Sequence, residues 1–386
     1  MKKSYLIIAG ETSGDKHAAR LVGCMREFAD VRLVGIGGDE MKAAGVEIIH
    51  HVKEMSVMGF SEVISKLPFF ARVRKDMIRI VRQERPDGVV LVDYPGFNLR
   101  FAKIARREGV KVFYYISPQV WAWGKRRIKT IRRTVDLMMT IFKFEEEMYH
   151  KAGVNAKFVG HPLLDEIKCS SGAEIQQFRR QFFNSHHPGN PEMQRVLALL
   201  PGSRHQEIKR ILPTMLLAAR TVVDELRGAG MRIEPIIGCA PAIDVEEYSS
   251  VMHETGVNAQ LCHDVGLLMD SADAGMITSG TATLEAALHD LPMLVAYKTS
   301  PVTYFLGRSL VRLKSISLVN IVAGERIVEE LVQGGFEATR AASIIKSILT
   351  NSEVSDRIKQ KYAGIRKALG EAGASARAAE LILKAA

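Results

Sequence analysis

A carboxylate that directly follows an apolar run is the first candidate for chemistry in this sequence. Asp93 comes after the run 88–92 (GVVLV), and Pro95 and Gly96 follow it in a predicted turn. If the run is a buried parallel strand, Asp93 lies at its carboxyl end, where doubly wound folds place their reactive groups. A carboxylate there can act as a general base toward an alcohol. The structural alternative is that Asp93 caps the helix that follows.

Two glycine-containing turns later in the chain are suited to a diphosphate. The segment 200–204 (LPGSR) ends in a guanidinium, which can bind a diphosphate bidentately and stabilise it as a leaving group. The segment 278–285 (TSGTATLE) has small residues before a predicted helix, whose N-terminus can bind an anion. The structural alternatives are an ion pair for the first segment and an N-cap for the second. The asparagine of a third segment, 317–321 (SLVNI), is a further candidate for the nucleotide, and its alternative is a routine turn residue. The predicted nucleotide-binding residues are Gly202, Ser203, Arg204, Ser279, Gly280, Thr281, Glu285 and Asn320.

Two turns in the first half of the chain are suited to a sugar. The segment 10–15 (GETSGD) lies between a predicted strand and a helix but is not a G-x-G-x-x-G fingerprint, and its acids would repel a phosphate. The segment 117–123 (SPQVWAW) holds both tryptophans, whose faces can pack against sugar rings or acyl chains. A tight turn and a loop that covers the core are the structural alternatives. The predicted sugar- and acceptor-side residues are Glu11, Ser13, Gly14, Asn98 and Trp121.

Patterns that bind metal ions are missing from the sequence. It contains neither Asp-x-Asp nor H-E-x-x-H, so we expect no metal and no cofactor, with Arg204 and a helix N-terminus taking the place of a cation. The four cysteines are scattered and are expected to be reduced thiols in a cytosolic protein.

A membrane surface is one candidate partner. The segments 55–60 and 64–73 are apolar and are accompanied by arginines and lysines, a combination that binds anionic bilayers. An amphipathic core helix is the alternative, and the residues alone favour it. The predicted membrane contacts are Met58, Phe60, Leu67, Phe69, Phe70, Arg72 and Arg74.

The elements that must position these residues form two α/β series. The 386 residues suit two domains, and continuous apolar runs alternate with amphipathic ones in both halves. The polar segment 169–193 marks the junction, so we predict domains at 1–168 and 169–354, each Rossmann-like and doubly wound, facing a central cleft. The net charge of +10 points to an anionic partner, namely nucleic acid, an anionic membrane or a phosphorylated ligand.

Taken together and in order, these segments resemble the lipid A disaccharide synthase family. The matching stretches include 9–15 (AGETSGD), 55–63 (MSVMGFSEV), 115–123 (YISPQVWAW) and 199–204 (LLPGSR). The resemblance implies the GT-B fold and an inverting glycosyltransferase, with C-terminal helices from about residue 355 to 386 that pack back on the first domain. It also implies a cytoplasmic protein at the inner face of the cytoplasmic membrane; nucleic acid is not expected, and an oligomer is not excluded.

The same resemblance implies substrates and roles. The donor would be UDP-2,3-diacylglucosamine, the acceptor 2,3-diacylglucosamine 1-phosphate, and the products a β-1′,6-linked disaccharide 1-phosphate and UDP. Asp93 would be the base for the acceptor 6-hydroxyl, and Arg204, Glu285 and Asn320 would lie at the nucleotide side. The second acid of the family's turn is replaced here by Gly96, so no role is assigned to it.

Two other functions fit parts of the pattern. A UDP-sugar epimerase of the same fold would use the second-half turns but would need acid–base groups suited to C2 chemistry. A basic nucleic-acid-binding protein would account for the charge, and its affinity would depend steeply on salt.

Overall fold

The chain forms two compact units. The computed structural model describes residues 3–55, 67–183, 193–301, 304 and 315–386. Unit 1 comprises Met1–Glu166 and Leu369–Ala386, and unit 2 comprises Ile167–Ala368. The first boundary lies two residues before the one predicted from the polar segment.

Unit 1 is built on a seven-stranded parallel sheet with the order β3-β2-β1-β4-β5-β6-β7. The strand order reverses between β1 and β4, so the carboxyl ends of these two strands form a topological switch point. Ala9, at the end of β1, pairs with Val92, at the end of β4. The strands are β1 (Lys3–Ala9), β2 (Val31–Gly37), β3 (Glu47–His51), β4 (Gly88–Val92), β5 (Val112–Tyr115), β6 (Leu137–Thr140) and β7 (Ala156–Phe158).

Helices cover both faces of this sheet because its strands are apolar on both sides. Leu6 and Ile8 of β1 pack with α4, α5 and α6, whereas Tyr5 and Ile7 pack with α1 and the C-terminal helix α17. The helices of unit 1 are α1 (Thr12–Phe28), α2 (Asp39–Ala43), α3 (Val52–Met55), α4 (Leu67–Glu84), α5 (Pro95–Arg107), α6 (Arg127–Thr134), α7 (Lys143–Lys151), α8 (Leu163–Glu166) and α17 (Ala374–Ala385).

Unit 2 repeats the plan with a six-stranded parallel sheet in the order β10-β9-β8-β11-β12-β13, which reverses between β8 and β11. Its strands are β8 (Gln194–Leu200), β9 (Arg232–Gly238), β10 (Gln260–Cys262), β11 (Ala274–Thr278), β12 (Met293–Tyr297) and β13 (Glu329–Val332). Its helices are α9 (Gly172–Phe182), α10 (His205–Arg227), α11 (Val245–Thr255), α12 (Val265–Ser271), α13 (Ala282–Leu288), α14 (Leu318–Ala323), α15 (Ala338–Thr350) and α16 (Ser352–Leu369).

The return of the chain to unit 1 begins later than the expected residue 355. Helix α16 belongs almost entirely to unit 2, because the Tyr362 hydroxyl donates to the Leu291 carbonyl at 3.0 Å and Arg366 donates to the Leu288 carbonyl at 3.0 Å. From Leu369 onward the chain lies in unit 1, where Ile382 of α17 is fully buried in the core beside α1.

Helix α4 corrects part of the predicted membrane contact. Val73 and Met77 are buried in the core, and Phe69 and Phe70 are partly buried against that core rather than exposed. The predicted cations Arg72 and Arg74 are exposed. Met58 and Phe60 lie outside the described residues, as does the side chain of Leu67. Among the helices that the structure describes, none has the length and apolarity needed to span a bilayer.

Candidate functional site

The switch point of unit 1 brings two predicted turns side by side. One turn follows β1 at Gly10 and the other follows β4 at Asp93, and the two strands are paired. A Cβ at position 10 would lie 2.1 Å from Cδ1 of Tyr94, so only glycine lets the Tyr94 ring cover this turn. The structure therefore places Glu11 and Asp93 at one edge of one sheet, as the strand-end argument predicts.

The backbone of Asp93 is held firmly in an uncommon conformation. Its φ is 44°, in the left-handed region that a residue with a side chain rarely adopts. Its N–H donates to the Tyr115 carbonyl at 3.0 Å, and its carbonyl accepts from the Tyr114 hydroxyl at 2.6 Å. Such locally strained backbone persists where the surroundings enforce it, which is common in active sites.

The carboxyl group of Asp93 has an environment suited to proton transfer. Burial, followed by the negative charge of Glu11, raises the pKa of Asp93 to about 6. A base with a pKa just below neutrality is mostly ionised at pH 7 and still holds a transferred proton well. The site geometry thus makes Asp93 a better base than an exposed aspartate.

Asn98 and Gly14, which we predicted at the acceptor side, have internal positions instead. Asn98 is fully buried, and its amide donates to the carbonyls of Val92 at 3.2 Å and of Asp93 at 2.7 Å. Gly14 is buried where α1 passes the ends of β1 and β4. Through its bond to the Asp93 carbonyl, Asn98 is a positioning residue for Asp93. Glu11 and Ser13 are exposed at the start of α1.

The second acid of the segment 10–15, Asp15, has a structural role. Asp15 is buried, and its carboxylate accepts from the N–H groups of Gly38 at 2.6 Å, Glu40 at 3.1 Å and Met41 at 3.2 Å. These are the free amides at the start of α2. Asp15 therefore caps a helix that is distant in sequence rather than its own.

Trp121 is held in place by a carboxyl group that the sequence analysis missed. The indole N–H donates to Glu145 at 2.9 Å, and the ring packs edge-to-face on Phe144 at 5.5 Å. Glu145 is buried, and burial raises its pKa to about 7. The half-buried Trp121 is thus fixed, whereas Trp123 is 46% exposed with the Arg127 guanidinium 4.0 Å from its ring.

The first turn of unit 2 is capped by its own helix. The Glu207 carboxylate accepts from the N–H groups of Ser203 at 2.9 Å and Arg204 at 3.3 Å. A Cβ at Gly202, whose φ is 114°, would lie 2.2 Å from this carboxylate. The backbone amides of Ser203 and Arg204 are therefore occupied within the protein. The Arg204 side chain is 82% exposed and contacts Glu207 at 3.4 Å, so its guanidinium is accessible to an anion.

The second turn of unit 2 keeps backbone donors. Ser279 is committed internally, because its N–H donates to the Ala296 carbonyl at 2.9 Å and its hydroxyl to the Ile316 carbonyl at 3.0 Å. Within the part of the chain that the structure describes, the N–H groups of Gly280 and Thr281 meet no acceptor. Glu285 is half-buried in α13. Gly280 and Thr281 thus retain the donors that a diphosphate requires.

Asn320, which we predicted at the nucleotide side, has an internal position. It is 2% exposed, and its amide donates to the Val328 carbonyl at 2.9 Å and to Glu330 at 2.8 Å. Its carbonyl accepts from the N–H groups of Ile327 at 2.8 Å and Val328 at 3.1 Å. All four hydrogen-bonding positions of the amide are therefore used within the protein, and Asn320 is a positioning residue.

Glu330 is the centre of this network and was not predicted. Its carboxylate accepts from the Ile316 N–H at 3.0 Å and from the Ser317 hydroxyl at 2.6 Å, in addition to Asn320. Because Ser279 binds the Ile316 carbonyl, the network joins β13 to the turn before α13. No pattern around Glu330 in the sequence indicates this role, since the partners lie ten to fourteen residues away.

We expect Glu330→Gln to lower the free energy of unfolding by about 2 kcal/mol, because a neutral amide cannot accept from all of these donors. Denaturant unfolding measures this change. The matched control is Glu329→Gln, since Glu329 is exposed and pairs only with Arg326 at the surface among the described residues. Equal effects of the two substitutions would contradict the role of the network.

Fold and site define a class before any comparison of sequences. Two doubly wound units, each built on a parallel sheet whose strand order reverses once, constitute the GT-B fold. The calicheamicin glycosyltransferase CalG4 shares the fold with a TM-score of 0.61 and 13% identity, covering 100% of this chain and 99% of that one. The UDP-GlcNAc 2-epimerase from Neisseria meningitidis gives 0.60 and 12%, with 100% of both chains covered.

Sequence comparison then identifies the family. A lipid-A-disaccharide synthase of Myxococcus xanthus is 39% identical over 381 residues, which are 98% of this chain and 96% of the relative. The family model for lipid-A-disaccharide synthetase matches residues 5–385. This chain belongs to that family and is a glycosyltransferase, which confirms the resemblance found in the motifs.

Proposed function

We propose that this chain transfers 2,3-diacylglucosamine from its UDP derivative to the 6-hydroxyl of 2,3-diacylglucosamine 1-phosphate. The products are the β-1′,6-linked disaccharide 1-phosphate and UDP. The proposal rests on one observation: the carboxyl group of Asp93, whose pKa is raised, lies at the switch point of the unit 1 sheet.

The chemistry proceeds by one displacement at the anomeric carbon. Asp93 takes the proton of the acceptor hydroxyl as that oxygen forms a bond to the anomeric carbon of the donor sugar. The bond to the UDP oxygen breaks from the opposite face, so the configuration inverts. Arg204 and the amides of Gly280 and Thr281 supply the positive potential that stabilises the departing diphosphate.

A direct assay tests this proposal. The purified chain is incubated with UDP-2,3-diacylglucosamine and the monosaccharide 1-phosphate, and both UDP and the disaccharide are quantified. We expect equal amounts of the two products. Epimerisation of UDP-GlcNAc in the absence of an acceptor would favour the epimerase instead.

The transfer is proposed to need no metal ion, because a guanidinium and free helix-start amides can take its electrostatic role. The initial rate should be unchanged by EDTA. A rate that is lost in EDTA and restored by Mg²⁺ would overturn this part of the proposal.

The membrane contact is proposed to be the basic layer, which we define as helices α4, α5 and α6 with the turn 124–126. These helices cover one face of the unit 1 sheet, and α5 contacts both α4 and α6. The layer holds fifteen lysines and arginines against two acids, Asp76 and Glu84, so its formal charge is +13, whereas the whole chain has +10. All but Arg127 of the fifteen are exposed.

This charge distribution favours an anionic surface as partner. A positive layer of this kind is attracted to the anionic headgroups of an inner-membrane surface, where both acylated substrates reside. Trp123, exposed beside Lys125 and Arg126, has the amphipathic ring that membrane interfaces favour. The contact is therefore proposed to be mainly electrostatic, without deep insertion of Phe69 and Phe70.

We expect the triple variant Arg72→Gln/Lys75→Gln/Lys129→Gln to bind anionic vesicles about 100-fold more weakly. Each basic residue near such a surface contributes about 1 kcal/mol, and 1.4 kcal/mol corresponds to a factor of ten. Co-sedimentation with phosphatidylglycerol vesicles measures the change.

The control is Lys209→Gln/Arg210→Gln/Lys359→Gln, which removes the same charge from exposed positions of unit 2. Identical losses in both triple variants would show that net charge alone drives binding and would reject the basic layer. A salt-dependent preference for DNA over vesicles would instead favour a nucleic-acid partner.

A further inference from the structure

A cysteine, an aspartate and a histidine from three separate segments meet in unit 2. Cys169 lies in the segment between α8 and α9, Asp270 in the last turn of α12, and His289 directly after α13. One potential ligand atom from each residue lies within 4.8 Å of those of the other two. Sulfur, oxygen and nitrogen donors are thus close together without any role in the transfer reaction.

Two of these side chains are already oriented. His289 Nδ1 and Asp270 Oδ1 are 2.6 Å apart, and the side chains of the two residues are only 5% and 8% exposed. The Ser170 N–H donates to the other Asp270 oxygen at 2.6 Å. The Asp270 carboxyl group is thus held from both sides, by His289 and by Ser170.

The cluster and the nucleotide-side turns lie at opposite ends of the strands of unit 2. Helix α12 ends just before β11 begins at Ala274, and α13 ends just before β12 begins at Met293. The cluster is therefore at the amino-terminal edge of the unit 2 sheet, whereas Gly280 and Thr281 follow the carboxyl end of β11. A ligand held here cannot reach the reacting atoms, so its effect would be on stability.

We propose that Cys169, Asp270 and His289 bind a Zn²⁺ ion, with a water molecule as the fourth ligand. Thiolate, imidazole and carboxylate are the ligands that zinc takes in proteins, and the sulfur disfavours Mg²⁺ and Ca²⁺. Zinc–ligand bonds of about 2.0–2.3 Å set ligand atoms roughly 3.5 Å apart, so Asp270 and His289 separate by about 1 Å as the ion enters. The Ser170 N–H remains on Asp270 as an outer-sphere donor.

Binding of the ion releases a proton and changes no oxidation state. The Cys169 thiol loses its proton to solvent when the Zn–S bond forms, and the proton between His289 Nδ1 and Asp270 Oδ1 moves to Nε2 of the ring, so that both atoms can bind the ion. The exposed position of Cys169 lets the ion enter and leaves room for the water. The ion then links the segment just after the unit boundary at Ile167 to α12 and α13, and it stabilises the folded state because the unfolded chain does not hold the three ligands together.

The test uses the full chain after dialysis against EDTA. Titration with Co²⁺ should give a sulfur-to-cobalt charge-transfer band that saturates at one ion per chain, and Zn²⁺ should displace it. Zn²⁺ should also raise the thermal unfolding temperature and slow alkylation of Cys169. In Cys169→Ser the band, the temperature shift and tight Zn²⁺ binding should all be lost, whereas Cys24→Ser should retain them.

These readouts are independent of the proposed transfer reaction. Because Cys169 is exposed, its serine variant is expected to fold and to keep the transfer rate of the unsubstituted chain. A missing cobalt–sulfur band, or Zn²⁺ binding of equal strength in Cys169→Ser, would overturn the site. As a check on the buried ligand, His289→Gln should abolish the band in protein whose circular dichroism is unchanged, and a retained band would also overturn the site.

Discussion

Asp93→Asn is expected to reduce kcat by roughly 10²–10⁴-fold while the dissociation constant of UDP stays within about twofold of its original value. The substitution keeps the size and shape of the side chain but removes its ability to take the acceptor proton. Rapid-quench or steady-state assay of UDP release, together with calorimetric UDP binding, measures both quantities. Wild-type turnover in this variant would remove Asp93 as the base.

The pH dependence provides a second measurement on the same residue. Because the pKa of Asp93 is raised to about 6, kcat/KM should fall tenfold per pH unit as the pH drops below about 6. Glu11→Gln removes the nearby negative charge and should move this acidic limb to lower pH. A limb that stays in place would show that Glu11 does not act on Asp93.

Asp93 should also affect stability, in the opposite direction to activity. A folded-state pKa above the unfolded value of 3.8 means that folding favours the protonated carboxyl group. The contribution is fully favourable below pH 3.8 and is lost as the pH rises toward 6, so ionised Asp93 costs stability at pH 7. Asp93→Asn should therefore unfold at a higher temperature at pH 7, with a gain on the order of 2 kcal/mol. If Asp93 is the base, the same carboxylate that supports activity lowers the stability of the folded chain at pH 7.

Arg204→Ala is expected to weaken the binding of UDP and of the donor by about 10²-fold each. A guanidinium that binds a diphosphate through charged hydrogen bonds contributes roughly 1.5–3 kcal/mol, and the Arg204 side chain is 82% exposed. Isothermal titration with UDP measures the loss. Helix α10 should remain stable, because the Glu207 cap on Ser203 is independent of the arginine side chain.

The control for this prediction is Arg210→Ala, since Arg210 is exposed in the same helix two turns beyond Arg204. It removes the same charge from nearly the same place and should leave UDP affinity unchanged. Arg204→Lys keeps the charge but not the planar fork, so it should restore only part of the affinity. Unchanged binding in Arg204→Ala would refute the diphosphate role.

The sequence was sufficient for the strands and for the turns that follow them. Buried parallel strands are continuous apolar runs, so the run 88–92 predicts a strand that the structure also contains. Because reactive groups of doubly wound folds lie at the carboxyl ends of such strands, the same run places Asp93 at a strand end without knowledge of any contact. The order of the motifs then identified the family before the comparisons confirmed it.

Residue type and position in a motif do not separate a polar side chain that meets a ligand from one that bonds within the protein. Asn98 and Asn320 stand in motifs and were predicted to meet substrates, yet both are buried and bonded to the backbone. Phe69 and Phe70 are partly buried against the core rather than exposed. A motif contains residues that shape a site as well as residues that touch its ligand, and the same residue types serve both roles.

What the sequence determined by itself is the set of elements and the ends at which chemistry can occur, because hydrophobic periodicity and turn residues act over a few neighbours. What only the tertiary structure decided is which polar groups remain available. Asp15 binds amides more than twenty residues away, Glu145 holds Trp121, and Glu330 joins a strand to two distant segments. Such bonds depend on which segments the folded backbone brings together, and local sequence patterns do not indicate which segments become neighbours.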